Sequence, residues 1–144
     1  MEVIHSDVCG PISPSFSGKI YFVTFIDDFS HYATVYSISR KSDAFGCLKD
    51  FLSINRGVGM CLRLHTDRGG EYSGHEFARL LHEHGITHTP MEPYTPELNG
   101  VAERFNWTLL DMVRPMLRHA RLPPAYWAEA ASAACAMYNS LPHA

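Results

Sequence analysis

No stretch of this chain stays apolar for the roughly 20 residues that a membrane-crossing helix needs, and the N-terminus lacks a signal-peptide layout. Both features argue against a membrane or secreted protein. Paired cysteines are also missing. Cys9, Cys47, Cys61 and Cys135 are scattered, with no C-x-x-C pair and no dense framework, so reduced thiols are expected rather than a disulfide scaffold. Nor is there an excess of positive charge: 12 Lys+Arg against 15 Asp+Glu give a net charge of -3. That balance argues against strong nonspecific binding to nucleic acid, which counterion release normally drives through a basic surface. His82, His84 and His88 cluster, but no cysteine pair follows at zinc-finger spacing, so they read as a solvated helix end and a strand. No repeat, low-complexity tract or linker divides the 144 residues, which suit one domain with a real core.

What is present is a regular succession of short elements. Val3–Cys9 reads as a strand ending at Gly10-Pro11. Residues 20–26 are a dense β-branched and aromatic run, and 31–38 alternate as a third strand. The short turn between these two, Asp27-Asp28-Phe29-Ser30, implies an antiparallel hairpin. Ser42 can cap a helix to about Arg56, with Ala44, Phe45, Leu48, Phe51 and Leu52 on one face. Residues 61–65 read as a fourth strand. Ser73-x-x-Glu76 is a capping-box signature for a second helix that stops near Gly85. Residues 86–89 form a fifth strand. The stretch 90–98, with three prolines, reads as a loop, and Asn99 as the cap of a third helix. Pro123-Pro124 opens a last helix to about Tyr138. Strand–helix–strand crossovers favour parallel pairing, so a five-stranded mixed α/β sheet flanked by helices is expected.

Three acids fall at positions where such a fold would turn them inward. Asp7 is mid-strand in H-S-D-V-C-G-P (5–11). Asp67 follows a strand end in H-T-D-R-G-G-E-Y (65–72). Glu103 stands in the first turn of a helix in P-Y-T-P-E-L-N-G-V-A-E-R (93–104). Thirty-five residues separate Asp67 from Glu103. Carboxylates from separate elements can surround one point, whereas acids along one helix face cannot. Asp27 and Asp28 are rivals for the first acid, but Asp is common in tight turns for local reasons. Glu71 reads as support for the Gly69-Gly70 turn. Arg104, Arg114, Arg118 and Arg121 bias the C-terminal half towards positive charge, for phosphate contact or simply as a solvated face.

The Asp, Asp, thirty-five, Glu arrangement resembles the catalytic triad of retroviral and retrotransposon integrases, and the flanking words narrow the resemblance to the copia type. H-S-D-V-C-G-P, Y-F-V-T-F-I-D-D-F-S, D-x-G-G-E-Y, P-Y-T-P-x-x-N-G-V-A-E-R and Y-W-A-E-A occur in order across nearly the whole chain. The resemblance implies an RNase H-like catalytic core in which Asp7, Asp67 and Glu103 hold two Mg2+ or Mn2+ ions. Such ions, about 3.5–4 Å apart, activate the attacking oxygen and stabilise the leaving one. The implied activity is end processing and strand transfer of element DNA into target DNA. The resemblance also implies a homodimer or higher multimer, and work in the nucleus after a cytoplasmic particle stage. Asn99, Arg104, Tyr94 and Arg68 would touch DNA, with capping an equal alternative for Asn99. Residues 1–144 would be the core alone, without the family's N-terminal zinc module and C-terminal domain.

The chain departs from the copia pattern at several places. Arg68 replaces the usual Asn after the second acid, and Glu97-Leu98 replaces a polar pair. Trp107 stands where a basic residue is usual, one turn after Glu103. Pro115 falls inside the helix carrying Glu103, where it should kink the helix at a cost of about 3 kcal/mol if unrelieved. These departures bear on DNA affinity more than on metal binding, and Trp107 and Pro115 motivate a second reading, an inactive remnant that at most binds nucleic acid or protein. A weaker third reading is a hybrid-cleaving nuclease of the same fold.

Overall fold

A computed structural model describes residues 1–143 except 58, 60, 68 and 91–95, and the backbone alone for 96–99. Strand β1 (Val3–Cys9) pairs antiparallel with β2 (Tyr21–Asp27), which pairs antiparallel with β3 (Ala33–Ile38). On its other side β1 runs parallel to β4 (Arg63–Thr66), and β4 runs parallel to β5 (Thr87–Pro90). The sheet order is β3-β2-β1-β4-β5, the expected five-stranded mixed sheet.

Helices α1 (Ala44–Ile54) and α2 (His75–His84) lie on one face of the sheet, and α3 (Pro96–His119) and α4 (Trp127–Asn139) on the other. The period-two alternation of the strands sends side chains to both layers. Ile4, Val23, Phe25 and Leu64 pack with Leu48, Phe51, Phe77 and Leu81. Phe22, Ile26 and Ala33 pack with Phe105, Leu109, Val113 and Trp127. In α1 the buried Ala44, Leu48, Phe51 and Leu52 recur at helical spacing, so one stripe meets the sheet. In α4 the buried stripe is largely alanine (Ala128, Ala130, Ala131, Ala134), which lets this helix lie close against the sheet and α3.

Several local expectations give way to other contacts. Ser42 does not cap α1: it sits inside a 3-10 turn, Lys41–Asp43, and the Asp43 carboxylate accepts from the Arg40 N–H at 3.0 Å. The Ser73–Glu76 capping box does not form. The Ser73 hydroxyl turns back to donate to the Gly70 carbonyl at 2.6 Å, and Gly74, at φ 104°, precedes the helix instead. Helix α3 opens at Pro96, so Asn99 lies within its first turn rather than at its cap, and Glu103 falls in the second turn. Proline's fixed φ suits the first helical position, which the reading of 90–98 as a loop did not weigh. The helix is continuous through Pro115 to His119. Pro115 and Asp111, the residue whose carbonyl loses its partner, are both exposed, so water can meet that carbonyl. All four cysteines are free thiols, and among the described residues no helix is long and apolar enough to cross a membrane.

Leu48 is buried at the α1–sheet contact, while Phe29 is 93% exposed at the hairpin tip. Leu48→Ala should cost about 2–5 kcal/mol in urea unfolding, and Phe29→Ala no more than about 0.5 kcal/mol. Equal losses would contradict this packing.

Candidate active site

Asp7 stands on the central strand and faces α3. Its Oδ2 accepts a hydrogen bond from Asn106 Nδ2 at 2.8 Å. Asn106 is only 5% exposed, and its Oδ1 accepts from the Thr24 hydroxyl at 2.9 Å. Thr24 is the register partner of Asp7 across β1 and β2. Strand pairing and a buried amide therefore fix the Asp7 carboxyl from two sides. Asn106 was not singled out from the sequence. Its spacing from Glu103, three residues and hence on the same helix face, was the available signal.

Asp67 lies just beyond the end of β4, beside the C-terminal half of β1. The Gly69 N–H donates to its Oδ1 at 3.1 Å, and the Thr66 hydroxyl donates to its carbonyl at 2.8 Å. The segment that follows is tied back to β1 next to Asp7, where the Tyr72 and Ser6 hydroxyls meet at 2.6 Å in a buried contact. This explains the Tyr of the D-x-G-G-E-Y word. Glu71 folds its carboxylate over Gly69, and a Cβ at 69 would force that carboxylate to move. Glu103, on α3, lines a cleft of about 170 Å³ together with Asp7, Cys9, Asn106, Trp107 and Leu110.

Burial and neighbouring negative charge act together on Asp7. The Asp7 carboxyl is pushed up from its ordinary value of 3.8 to about 6, first by burial, then by the charge of Asp67, and further by Glu103. Hydrogen bonds from the Val8 backbone and from Asn106 act against this rise. The neighbouring Cys9 thiol is raised by burial and by Asp7. Burial, with opposition from its Ser6 contact, also raises the Tyr72 hydroxyl, to which the charges of Asp67, Glu71 and Asp7 add. Each of the three acids thus comes from a different element, and Asp7 feels both of the others.

The rival acids have local work. Asp27 Oδ2 accepts from the Ser30 N–H at 2.9 Å and from the Ser30 hydroxyl at 2.6 Å, closing the hairpin turn, and Asp28 meets His5 at 2.8 Å. His84 is held by the Leu80 carbonyl at 2.9 Å and His88 by the Thr66 hydroxyl at 2.8 Å. Among the expected DNA contacts, Arg104 is exposed on α3 and lines a separate cleft of about 320 Å³ with His31, Thr108 and His143. Arg68 and Tyr94 lie outside the described residues, as does the side chain of Asn99.

Among the described residues no group of three or more His, Cys, Asp or Glu side chains is arranged to hold a metal ion. The donor chemistry nonetheless fits a hard divalent cation. The candidates are carboxylates only, and their mutual repulsion, visible at Asp7, is what such a cation would relieve.

The sequence of residues 1–96, on this fold, defines an integrase-type core. Residues 1–96 match the sequence profile of the integrase core domain family, and the chain belongs to that family. Its relatives place it among copia-type retrotransposon integrase cores. It is 44% identical over 99% of its length to the Retrovirus-related Pol polyprotein from transposon TNT 1-94 of Nicotiana tabacum, covering 11% of that protein. It is 31% identical over 97% of its length to the Transposon Ty1-DR4 Gag-Pol polyprotein of Saccharomyces cerevisiae, covering 9% of it. The chain therefore spans about a tenth of the length of these curated relatives. In structure it resembles a chain of the simian T-cell lymphotropic virus intasome in complex with PP2A regulatory subunit B56 gamma. That match has a TM-score of 0.79 at 23% identity, over 99% of this chain and 50% of that one. It also resembles the HTLV-2 integrase catalytic core domain in complex with magnesium, with a TM-score of 0.70 at 19% identity, over 93% of this chain and 82% of that one. These likenesses establish the RNase H-like fold.

The raised Asp7 carboxyl has a consequence for stability. Its neutral form fits the fold better than its ionised form, so the contribution is complete below about 3.8 and is lost as the pH rises through about 6. Without divalent metal, Asp7→Asn should therefore be more stable than wild type at pH 8, by about 1–3 kcal/mol in urea unfolding. The gap should close at pH 4. A variant that is weaker at both values would contradict the crowding of charge at Asp7.

Proposed function

We propose that this chain is the catalytic core of a DNA-integrating polynucleotidyl transferase, with Asp7, Asp67 and Glu103 as its metal-holding residues. The observation that supports this most directly is the charge crowding at Asp7, where acids from the end of β4 and from α3 act on one half-buried carboxyl of β1. A purely structural carboxylate gains nothing from two acidic neighbours whose charges oppose its ionisation. A site built to bind cations and to act beside phosphate does.

The chain's own groups have distinct tasks in this reading. Asn106 engages Asp7 Oδ2 and the Gly69 N–H engages Asp67 Oδ1, so each carboxylate is held in place by a donor of the chain itself. Glu103 completes the set from a helix, opposite the sheet. A bound divalent cation would supply charge neutralisation and Lewis acidity towards the phosphodiester oxygens. In the transfer step a DNA 3′-hydroxyl oxygen forms a new bond to phosphorus in the target backbone. The bond from phosphorus to the leaving 3′-oxygen breaks, and no covalent enzyme intermediate forms. The substrates would be element ends and target DNA, met in the nucleus, and the working form a dimer or higher multimer.

A branched DNA that mimics an integration product tests this reading while asking least of regions outside the core. Wild type should cleave and rejoin it in magnesium or manganese, and Asp67→Asn should lose at least about a hundredfold of that activity, the scale on which removing a charge-stabilising group acts. Full activity in Asp67→Asn would sink the assignment. A folded wild type that is inert in both metals would favour the inactive remnant.

A further inference from the structure

Trp107 is 66% exposed, an unusual state for the largest apolar side chain. It lies one helical turn beyond Glu103 and lines the same cleft as Asp7, Glu103 and Asn106. The cleft thus has a carboxylate side and an apolar side made of Trp107, Leu110 and Cys9. One turn further along, Asp111 is paired with Arg114 at 3.2 Å, so its charge is partly screened. The indole is therefore an uncharged plane at the lip of a site whose other side is built for phosphate chemistry. An indole cannot attract phosphate, but it can stack on a base of any identity.

We propose that Trp107 forms a nucleobase subsite, on which an unpaired base of the DNA strand stacks while its backbone enters the acid cleft. The inference rests on the reading of that cleft as a DNA-strand site. It gives Trp107 a positioning task that works by stacking rather than by charge. Binding here would depend on unpaired bases and be less sensitive to salt than a phosphate contact. A second copy of this chain is the rival occupant of the exposed indole.

Tryptophan emission reports on this directly, because the chain has two tryptophans and the other, Trp127, is 5% exposed with its indole N–H held by the Ser13 carbonyl at 2.8 Å. A short oligothymidylate, titrated in magnesium, should quench the emission of wild type but not of Trp107→Phe. An abasic oligomer of the same length should quench neither. By fluorescence anisotropy, Trp107→Ala should weaken oligothymidylate binding about tenfold and Trp107→Phe should restore most of it. Abasic binding should be the same in all three proteins. Quenching that survives in Trp107→Phe, or equal binding of both oligomers by wild type, would overturn the subsite. So would a dimer that Trp107→Ala dissociates in sedimentation while oligothymidylate binding is unchanged. If the branched-DNA substrate is still joined but Trp107 is silent to every strand, the subsite falls and the transferase reading stands. If Asp67→Asn keeps full joining activity, the reading itself falls, whatever Trp107 does.

Discussion

The arrangement depends on one strand that must serve two layers at once. β1 lies between an antiparallel and a parallel neighbour, and its alternation sends Ile4 into the core against α1 and Ser6 to Tyr72. The residue between Ser6 and Val8 must then face α3, and that residue is Asp7. A carboxyl in mid-sheet, largely buried, costs stability unless something compensates it. Asn106 compensates in part, and the two nearby acids make the cost larger. A proton relieves the conflict as the pH falls through about 6, and under the proposed function a bound cation would do the same. The fold thus carries a local penalty at the point where its chemistry would occur.

The same logic explains the residues around the acids. Tyr72 and Ser6 tie the segment after Asp67 to β1, so the second acid stays near the first although β4 ends at Thr66. Gly69 supplies both an N–H for Asp67 and room for the Glu71 carboxylate. Thr24 holds Asn106, and Asn106 holds Asp7, so a buried chain of hydrogen bonds runs from β2 through α3 to β1. Such a network is rigid only while every member is satisfied.

Much of this was readable before any coordinates. The strands announced themselves by β-branched and aromatic runs, and the hairpin and the mixed character of the sheet followed from which connections were short and which carried helices, whereas the spatial order of the strands is shown only by the structure. Boundaries shifted by a residue or two because strand ends are set by pairing partners, which a single chain does not display. The helix starts were less legible. Ser73 carried a capping signature but found a nearer acceptor in the Gly70 carbonyl, and Pro96 opened α3 earlier than Asn99 suggested. The acids stood out through their spacing and surrounding words. Their supports were less legible: the spacing of Asn106 from Glu103 marks a shared helix face, but its bridge from Thr24 to Asp7 spans 82 and 99 residues of sequence and has no local signature. Trp107 was visible as a departure, but its exposure beside the acids was not.

The central claim is that Asp7, Asp67 and Glu103 share one field that a divalent cation relieves. Carbon-13 NMR of the Asp7 carboxyl, titrated with and without magnesium, tests it most directly. The account predicts a midpoint near 6 in the metal-free protein and a marked fall when magnesium is added. It also predicts a smaller fall in metal-free Asp67→Asn, since Asp67 is the larger of the two charge contributions. A midpoint near the ordinary 3.8, or one that magnesium leaves unmoved, would contradict it.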